Sequence, residues 1–422
     1  MQRGLGIDRF GFAPRKMERA IIYIGGSYPQ ISNIVALRSA GLAVVLVDQN
    51  QNCPGSNYAT ETHGLSALNV EGLVTLTLEL KKRYQILFAY GVADFCYYAI
   101  EQIHRTLGYP YLYVNYDNFT QKSETKKIFR KANIPHPRQI ASANSLKKLL
   151  AEVENNQYSG SSVLKIDGLN NSAGVFYLRE TTKTAVKHQL ENSGYENGPA
   201  FIEEHVQDYD RLVNIDGFLV DGVYVPVTTT SRILAEDDKR RNLVMIQPAL
   251  NLTESQIETL VKYSVNFSAA ASYYWGPISI DFLHKSDGSF CAIEASPHFH
   301  AISSTIKLIG LSPLEYLARE LLSRDTVETK RIRATTCFHP RRPGHIACHQ
   351  LFHDGESPID INDLLEKWLM QEYIFDGCSL DRPDSTGGWF VGLAWQHING
   401  VTDAQHLQKM FNREIAKRRS KI

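Results

Sequence analysis

The chain has 422 residues, 45 Lys+Arg against 45 Asp+Glu and 43% apolar residues, so its formal net charge is zero. With no large basic cluster, that balance excludes the electrostatic footprint of a nucleic-acid binder or of a protein held on an anionic membrane. At about 150 residues per domain, the length predicts roughly three domains, or fewer large ones, with cores that need no staples.

The first stretch, to about residue 19, is basic but lacks the apolar run of a secretory signal. No uncharged apolar segment approaches about 18 residues, so no membrane span is expected. The six cysteines are scattered without a CxxC pair, as in reduced proteins. Together these features predict a cytoplasmic protein. AIIYIGG, SYPQISNIVALRSAG and LAVVLVD then read as a strand, a helix ended by Gly41 and a second strand. QILFAY and YLYVNY add strands around the helical ADFCYYAIEQIHRTLG, which predicts a parallel, helix-covered domain over 20–115. Gly25-Gly26 falls short of a dinucleotide fingerprint and reads as a tight turn or substrate-side loop.

From residue 116 the texture changes. KSETKKIFRKANIPHP is a basic helix stopped by Pro135 and Pro137, and SVLKID, GLNNSAG and VFYLRE follow as strand, turn and strand within 116–200. AFIEEHV and the hairpin-like NIDGFLVDGVYVPVT, with Asp-Gly turns, open the segment 201–325. The helical SQIETLVKYSVNFSAAASYYW then leads into GPISIDFLHKSDGSFCAIEAS. Short strands and a final helix, TDAQHLQKMFNREIAKRRS, occupy 326–422. The predicted class is multidomain, α/β followed by α+β.

Asp287-Gly288 is a favoured two-residue hairpin loop. With that loop, Asp281 lies opposite Glu294, Cβ atoms about 5 Å apart, and Ser279 opposite Ser296. Ile280, Phe282, Ile293 and Ala295 then face the core. Opposed carboxylates invite a cation or a shared proton, and oxygen-only donors suit Mg²⁺ shared with nucleotide phosphates. Two ordinary acids on an exposed face are the plainer alternative. Upstream, Lys165 ends an apolar strand before the loop 167–174, whose backbone N–H groups could close over phosphates beside the lysine charge. Lys122 and Lys126 share one helix face, a spacing also common on solvated surfaces. AFIEEHV runs into Glu203 and Glu204, where backbone groups could meet an adenine edge and an acid could meet a ribose.

In this order the pieces resemble the ATP-grasp superfamily, especially its carboxylate–amine (amino-acid) ligase branch, over roughly 20–325. The region 20–115 is similar to the Rossmann-like pre-ATP-grasp domain and 116–200 to the small lid subdomain. The large subdomain with its metal hairpin corresponds to 201–325, and 326–422 weakly resembles a small C-terminal α+β subdomain. KSETKKIFRKANIPHP resembles the lysine-led helix ending in a G-I-P-x-P turn, with Asn133 in the glycine's place. VLKIDGLNNSAGV is similar to the strand lysine and phosphate loop, FIEEHVQDYD to the nucleotide hinge, and IDF with IEAS to the metal pair.

The resemblance implies ATP with Mg²⁺, Mn²⁺ being a possible substitute. Asp281, Glu294 and Ser296 would hold the metal. Lys122, Lys126 and Lys165, with Ser172, Ala173 and Gly174 of the loop, would meet the phosphates. Glu203, Glu204 and Val206 would define the adenine site and Asp210 would take the ribose. Where the family reads E-x-N-x-R, this chain has Ser296 and His298, which weakens a metal ligand and removes a fixed fork donor. Arg232, His298 and His300 are the candidates to replace it, so Lys165, Arg232 and His298 form the expected catalytic set. The implied reaction joins a small carboxylate, foremost an amino acid, to an amine through an acyl phosphate. Its partners are those small molecules, with no nucleic acid and no membrane, and homodimers are common among proteins it resembles. Two alternatives stand beside it: a carboxylase or purine-pathway enzyme activating bicarbonate, and an ATP-binding regulatory protein that has lost catalysis. His345, His349 and His353 recur four apart as helical zinc ligands would, but the surrounding pattern reads as a strand that would scatter them over both faces.

Overall fold

The computed structural model describes residues 17–27, 30–109, 114–155, 162–168, 174–178, 198–234, 242–300, 313–323, 345–353 and 389–398, with residues 409 and 413. Four strands, β1 (Glu18–Ile24), β2 (Ala43–Asp48), β3 (Glu61–Gly64) and β4 (Tyr84–Gly91), form a parallel sheet in the order β3-β2-β1-β4. The apolar runs of β1 and β2 are buried along most of their length, as parallel strands under helices on both faces require. The helices are α1 (Ile31–Ser39), α2 (Val70–Leu80) and α3 (Tyr97–Leu107). Gly41 ends α1 as expected, its φ of +92° letting the Leu42 N–H donate to the Leu37 carbonyl. The Gly25-Gly26 turn is filled by the chain itself: the Gly26 N–H donates to Asp48 at 2.8 Å, and its carbonyl accepts from the Gly55 N–H at 2.7 Å. It offers no phosphate cradle. Of YLYVNY, expected as a strand, residues 111–113 lie outside the described residues and Val114–Tyr116 form no strand.

After the short α4 (Asp117–Thr120), α5 (Lys122–Lys131) carries the two helix lysines. It ends in a Schellman motif, with Asn133 N–H on the Arg130 carbonyl and Ile134 N–H on that of Phe129. Asn133 has φ +53°, the left-handed conformation in which Asn is the best stand-in for Gly. Asn133→Val is therefore expected to lower stability by about 1–2 kcal/mol, whereas Asn133→Gly is tolerated. Thermal unfolding of the two variants checks this.

A small antiparallel sheet, backed by α6 (Leu146–Asn155), comprises β5 (Gln139–Ala143), β6 (Ser162–Ile166), β7 (Val175–Tyr177) and β8 (Ala200–Glu204), in the order β5-β8-β6-β7. It extends to Glu204 and so crosses the expected division at 200/201. The large sheet holds β9 (Arg211–Val220), β10 (Val223–Leu234), β11 (Asn242–Gln247), β12 (Gly276–His284), β13 (Phe290–Ser296), β14 (His345–His353) and β15 (Trp389–Ile398), ordered β13-β12-β9-β10-β11-β14-β15. The two C-terminal strands thus extend the large sheet. Residues 345–353 are extended, not helical, but the expected scatter of the histidines was misjudged. Four-residue steps keep one parity along a strand and stand about 13 Å apart. The final helix falls outside the described residues apart from 409 and 413.

α7 (Glu254–Ala270), opened by a Thr253–Gln256 capping box, packs Leu260 and Phe267 beneath Ile278, Ile280 and Phe282. α8 (Pro313–Ser323) contributes Leu314, Leu317 and Ala318 to a core shared with α1 and β1. No described helix is long and apolar enough to cross a membrane.

Of the Asp-Gly pairs in NIDGFLVDGVYVPVT, only Asp221-Gly222 is a turn, with φ of +52° and +77°. Asp216-Gly217 lies inside β9, where a Cβ on Gly217 would fall 2.4 Å from the Tyr224 hydroxyl. The β12–β13 hairpin pairs Asp281 with Glu294 and Ser279 with Ser296, as expected, though by a different path. Its loop has three residues, Ser286, Asp287 and Gly288, closed by Gly288 N–H on the Lys285 carbonyl at 2.8 Å, with Gly288 at φ +81°. That loop displaces the pairs nearest the turn by one, and a bulge at Ile293 restores the register. Ile293, expected in the core, consequently lines the cleft described next.

Candidate active site

A cleft opens between the small and large sheets. Val163, Val175, Tyr177, Leu212, Leu234, Leu283 and Ile293 wall one end, beside the segment 204–206. Lys122, Lys165, Arg232, Asp281 and Glu294 line the other. The arrangement follows from strand periodicity, since Val163 and Lys165 alternate with the core residues Leu164 and Ile166.

Glu203 lines the cleft wall, but its carboxylate is already engaged within the protein. It is buried and bridges two lysines, with Oε2 at 2.6 Å from Lys126 Nζ and Oε1 at 2.7 Å from Lys165 Nζ. Burial raises the Glu203 pKa, but Lys165 and Lys126 outweigh it and hold the carboxyl below its usual range. Burial likewise pushes Lys126 down to about 8 against the pull of Glu203. Lys126 is thus a buried counter-charge that does not line the cleft, and Lys165 is the cleft-facing lysine of the triad. The Asp167 carboxylate, missed in the sequence, accepts from the Ser123 N–H at 3.0 Å and its hydroxyl at 2.5 Å. It caps the start of α5 and ties the first residue of the phosphate-loop segment to the helix that presents Lys122.

Asp281 and Glu294 face each other across the hairpin. Arg232 of β10 forms an ion pair with Asp281, and Lys122 Nζ lies 4.0 Å from Glu294 Oε1. Burial raises the Asp281 pKa; Arg232 opposes it and Glu294 adds to it. Among the described residues no group of three His, Cys, Asp or Glu forms a ready metal cluster. Two opposed carboxylates do fit Mg²⁺, which takes one or two carboxylates and completes its shell with phosphate and water.

Several expected site residues lie elsewhere. Asp210 does not line the cleft; its oxygens are engaged by His284 Nδ1 at 2.7 Å and Arg211 at 2.9 Å. Ser296 pairs with Ser279 deeper along the hairpin and is not a cleft residue. The Glu204 side chain accepts from the Arg138 N–H at 3.0 Å at the cleft edge, beside Val206. Gly174 lies at the start of β7, where its carbonyl accepts from Ile166 N–H at 3.0 Å, while Ser172 and Ala173 lie outside the described residues. His298 turns its Nδ1 to the Phe299 carbonyl at 2.7 Å. His300 is half-buried and its imidazole is held well below its usual range by desolvation, so it does not replace the missing cation.

No family model and no curated protein sequence matches the chain. Solved structures do match. L-amino acid ligase from Bacillus licheniformis shares 13% identity over 94% of this chain and 98% of that one, with a TM-score of 0.70. Carboxyaminoimidazole ribonucleotide synthase from Aspergillus clavatus, complexed with ATP, shares 14% identity over 95% and 99%, also at 0.70. The biotin carboxylase domain of Hydrogenobacter thermophilus 2-oxoglutarate carboxylase shares 13% identity over 81% of this chain and 76% of that one, at 0.62. These are ATP-grasp enzymes, and the chain has the ATP-grasp fold.

Proposed function

We propose that this ATP-grasp chain is a carbon–nitrogen ligase, which uses ATP to activate a small carboxylate, an amino acid's, and joins it to an amine. The observation that carries the proposal is the opposed pair Asp281–Glu294, flanked by Arg232 and Lys122, at one end of an apolar slot that also holds Lys165. The described neighbours are consistent with it, one being complexed with ATP and another with MgADP and bicarbonate.

In this reading Val163, Val175, Leu212, Leu234, Leu283 and Ile293 sandwich the adenine, and the main chain of 204–206 meets its polar edge. Lys165, fixed by Glu203, and Lys122, fixed on α5, neutralise phosphate oxygens. Asp281 and Glu294 hold Mg²⁺, which when bound supplies charge neutralisation on the polyphosphate. Arg232 is the fork donor that orients the reacting carboxylate, taking the part of the arginine absent at His298. The carboxylate oxygen attacks the γ-phosphorus and ADP leaves; the amine nitrogen then attacks the acyl carbon and phosphate leaves with the former carboxylate oxygen. In-line positioning and charge neutralisation carry both steps, with no covalent bond to the protein.

Pairs of the twenty L-amino acids screened with Mg-ATP are expected to give pair-dependent phosphate release, falling by about a hundredfold or more in Lys165→Ala. Release stimulated by bicarbonate and by no amino acid would move the assignment to bicarbonate activation. Absence of MgADP binding in calorimetry would overturn the nucleotide site altogether.

A further inference from the structure

At its polar end the cleft sets two acids against two cations. Arg232 leaves β10 and crosses β9 to reach Asp281 on β12, while Lys122 of α5 stands 4.0 Å from Glu294. All four side chains line the cleft. The repulsion between the opposed carboxylates is thus offset from outside, with one cation on each. The two pairs are unequal. Glu294 is 44% exposed and its contact with Lys122 is long, so that pair is weak. Arg232 and Asp281 are far less exposed and in direct contact.

The Arg232 fork is only partly used. Its Nη2 pairs with Asp281 Oδ2, whereas its buried Nε makes no hydrogen bond among the described residues. A guanidinium meets a carboxylate best through two parallel N–H groups, so the fork retains the capacity for a second, two-pronged partner. In the ligase reading both members of the pair have another task. Asp281 would hold Mg²⁺, and Arg232 would hold the substrate carboxylate, yet each is engaged by the other. Two cations on one carboxylate repel, so the contact with Arg232 weakens as Asp281 takes a divalent ion.

We infer that Asp281 and Arg232 form an exchange pair, in which Asp281 turns to a divalent cation and releases the Arg232 fork to the substrate carboxylate. The inference rests on the ligase reading above and deepens it, from where the two ligands bind to how their binding is coupled. Metal and carboxylate then bind cooperatively, each strengthening the other by the same factor. The acid is held firmly only beside the metal–nucleotide complex that can activate it. Arg232 carries this coupling, because the exposed Lys122–Glu294 contact is too weak to do so.

The test measures binding, not turnover. Each of the twenty L-amino acids is titrated by calorimetry into the full chain with ADP, once with Mg²⁺ and once with EDTA. For the amino acid that binds best, wild-type affinity is expected to be about tenfold or more higher with Mg²⁺. In Asp281→Asn the amide cannot hold the guanidinium as an ion pair. Affinity in EDTA should therefore rise roughly threefold or more above wild type, and Mg²⁺ should change it by less than about twofold. In Arg232→Gln binding should be weak in both conditions, and in the double variant the gain of Asp281→Asn should vanish. Loss of a merely structural contact would lower affinity, so the gain separates the two roles. Wild-type Mg²⁺ dependence retained in Arg232→Gln, or no gain in EDTA for a cooperatively melting Asp281→Asn, would overturn the exchange and leave the ligase reading standing. If Asp281→Asn does not fold, the Mg²⁺ dependence of Arg232→Gln decides alone. ADP release from ATP that responds to bicarbonate, with no amino acid bound by the wild type, would overturn both.

Discussion

Replacing Glu203 by alanine is expected to lower stability by about 3–5 kcal/mol, the cost of leaving buried charge without its partner. Lys126 is almost fully enclosed and Lys165 nearly so, and both ammonium groups sit within 2.7 Å of the Glu203 carboxylate. Without it, two cations face each other across β6 and α5. Lys126, already pushed down to about 8 by burial, should respond by losing its proton. The pH dependence has a definite sign. The folded Glu203 carboxyl lies below its usual range, so its contribution is complete above the unfolded value of about 4.3 and is lost as pH falls through the folded value. Wild-type melting temperature should therefore fall between about pH 5 and 3 more steeply than that of Glu203→Gln. A Glu203→Ala variant with wild-type melting, or a Gln variant with the same acid slope, would show that the triad contributes little. The same substitution frees Lys165 to move, so ADP formation should fall in whatever fraction stays folded.

The second large effect concerns the opposed carboxylates. Asp281→Ala and Glu294→Ala should each lower Mg-dependent ADP formation by roughly 10²–10³, about 2.7–4 kcal/mol of barrier. Their stability effects should differ. Asp281 is half-buried and paired with the buried Arg232, so its loss leaves an enclosed guanidinium without its carboxylate and should lower the melting temperature. The Glu294 side chain is 44% exposed and lies 4.0 Å from Lys122, a pair worth little in solvent, so Glu294→Ala should melt close to wild type. In Glu294→Ala, MgADP binding should also require more Mg²⁺ for half-saturation. Retention of Mg-dependent turnover in either variant would remove that residue from the metal site.

Some site features were legible because they are local. Asn133 stands in the glycine's place of the G-I-P-x-P turn that this segment resembles, and its left-handed backbone gives the reason. Facing positions for Asp281 and Glu294 were also legible, though two deviations cancel in the structure: a loop one residue longer and a compensating bulge at Ile293. Other features were not. An acid after an apolar strand reads the same whether it faces a ligand or a neighbouring lysine. In the structure Glu203 lies diagonal to Lys165 on the same face of the β6–β8 ladder, and α5 brings Lys126 to its other oxygen. Asp210 carries the right spacing for a ribose acid, yet His284 of β12 and Arg211 hold it away.

By itself, then, the sequence determined the alternation that makes β1 and β2 a parallel core, the presence of the helices α5 and α7, and the presence of an acidic hairpin beside lysine-bearing elements. These depend on periodicity, capping and turn chemistry, which act over a few residues. Tertiary structure decided which of the Asp-Gly pairs at 216–217, 221–222 and 287–288 turn, which lysine faces the cleft, and which carboxylates are open to a cation. Each of those outcomes depends on partners far away in the chain. Tyr224 packs over Gly217, α5 lies against the small sheet, and Arg232 reaches across from β10 to Asp281. A net charge of zero is compatible with every one of these pairings, because charge composition carries no information about which opposite charges meet.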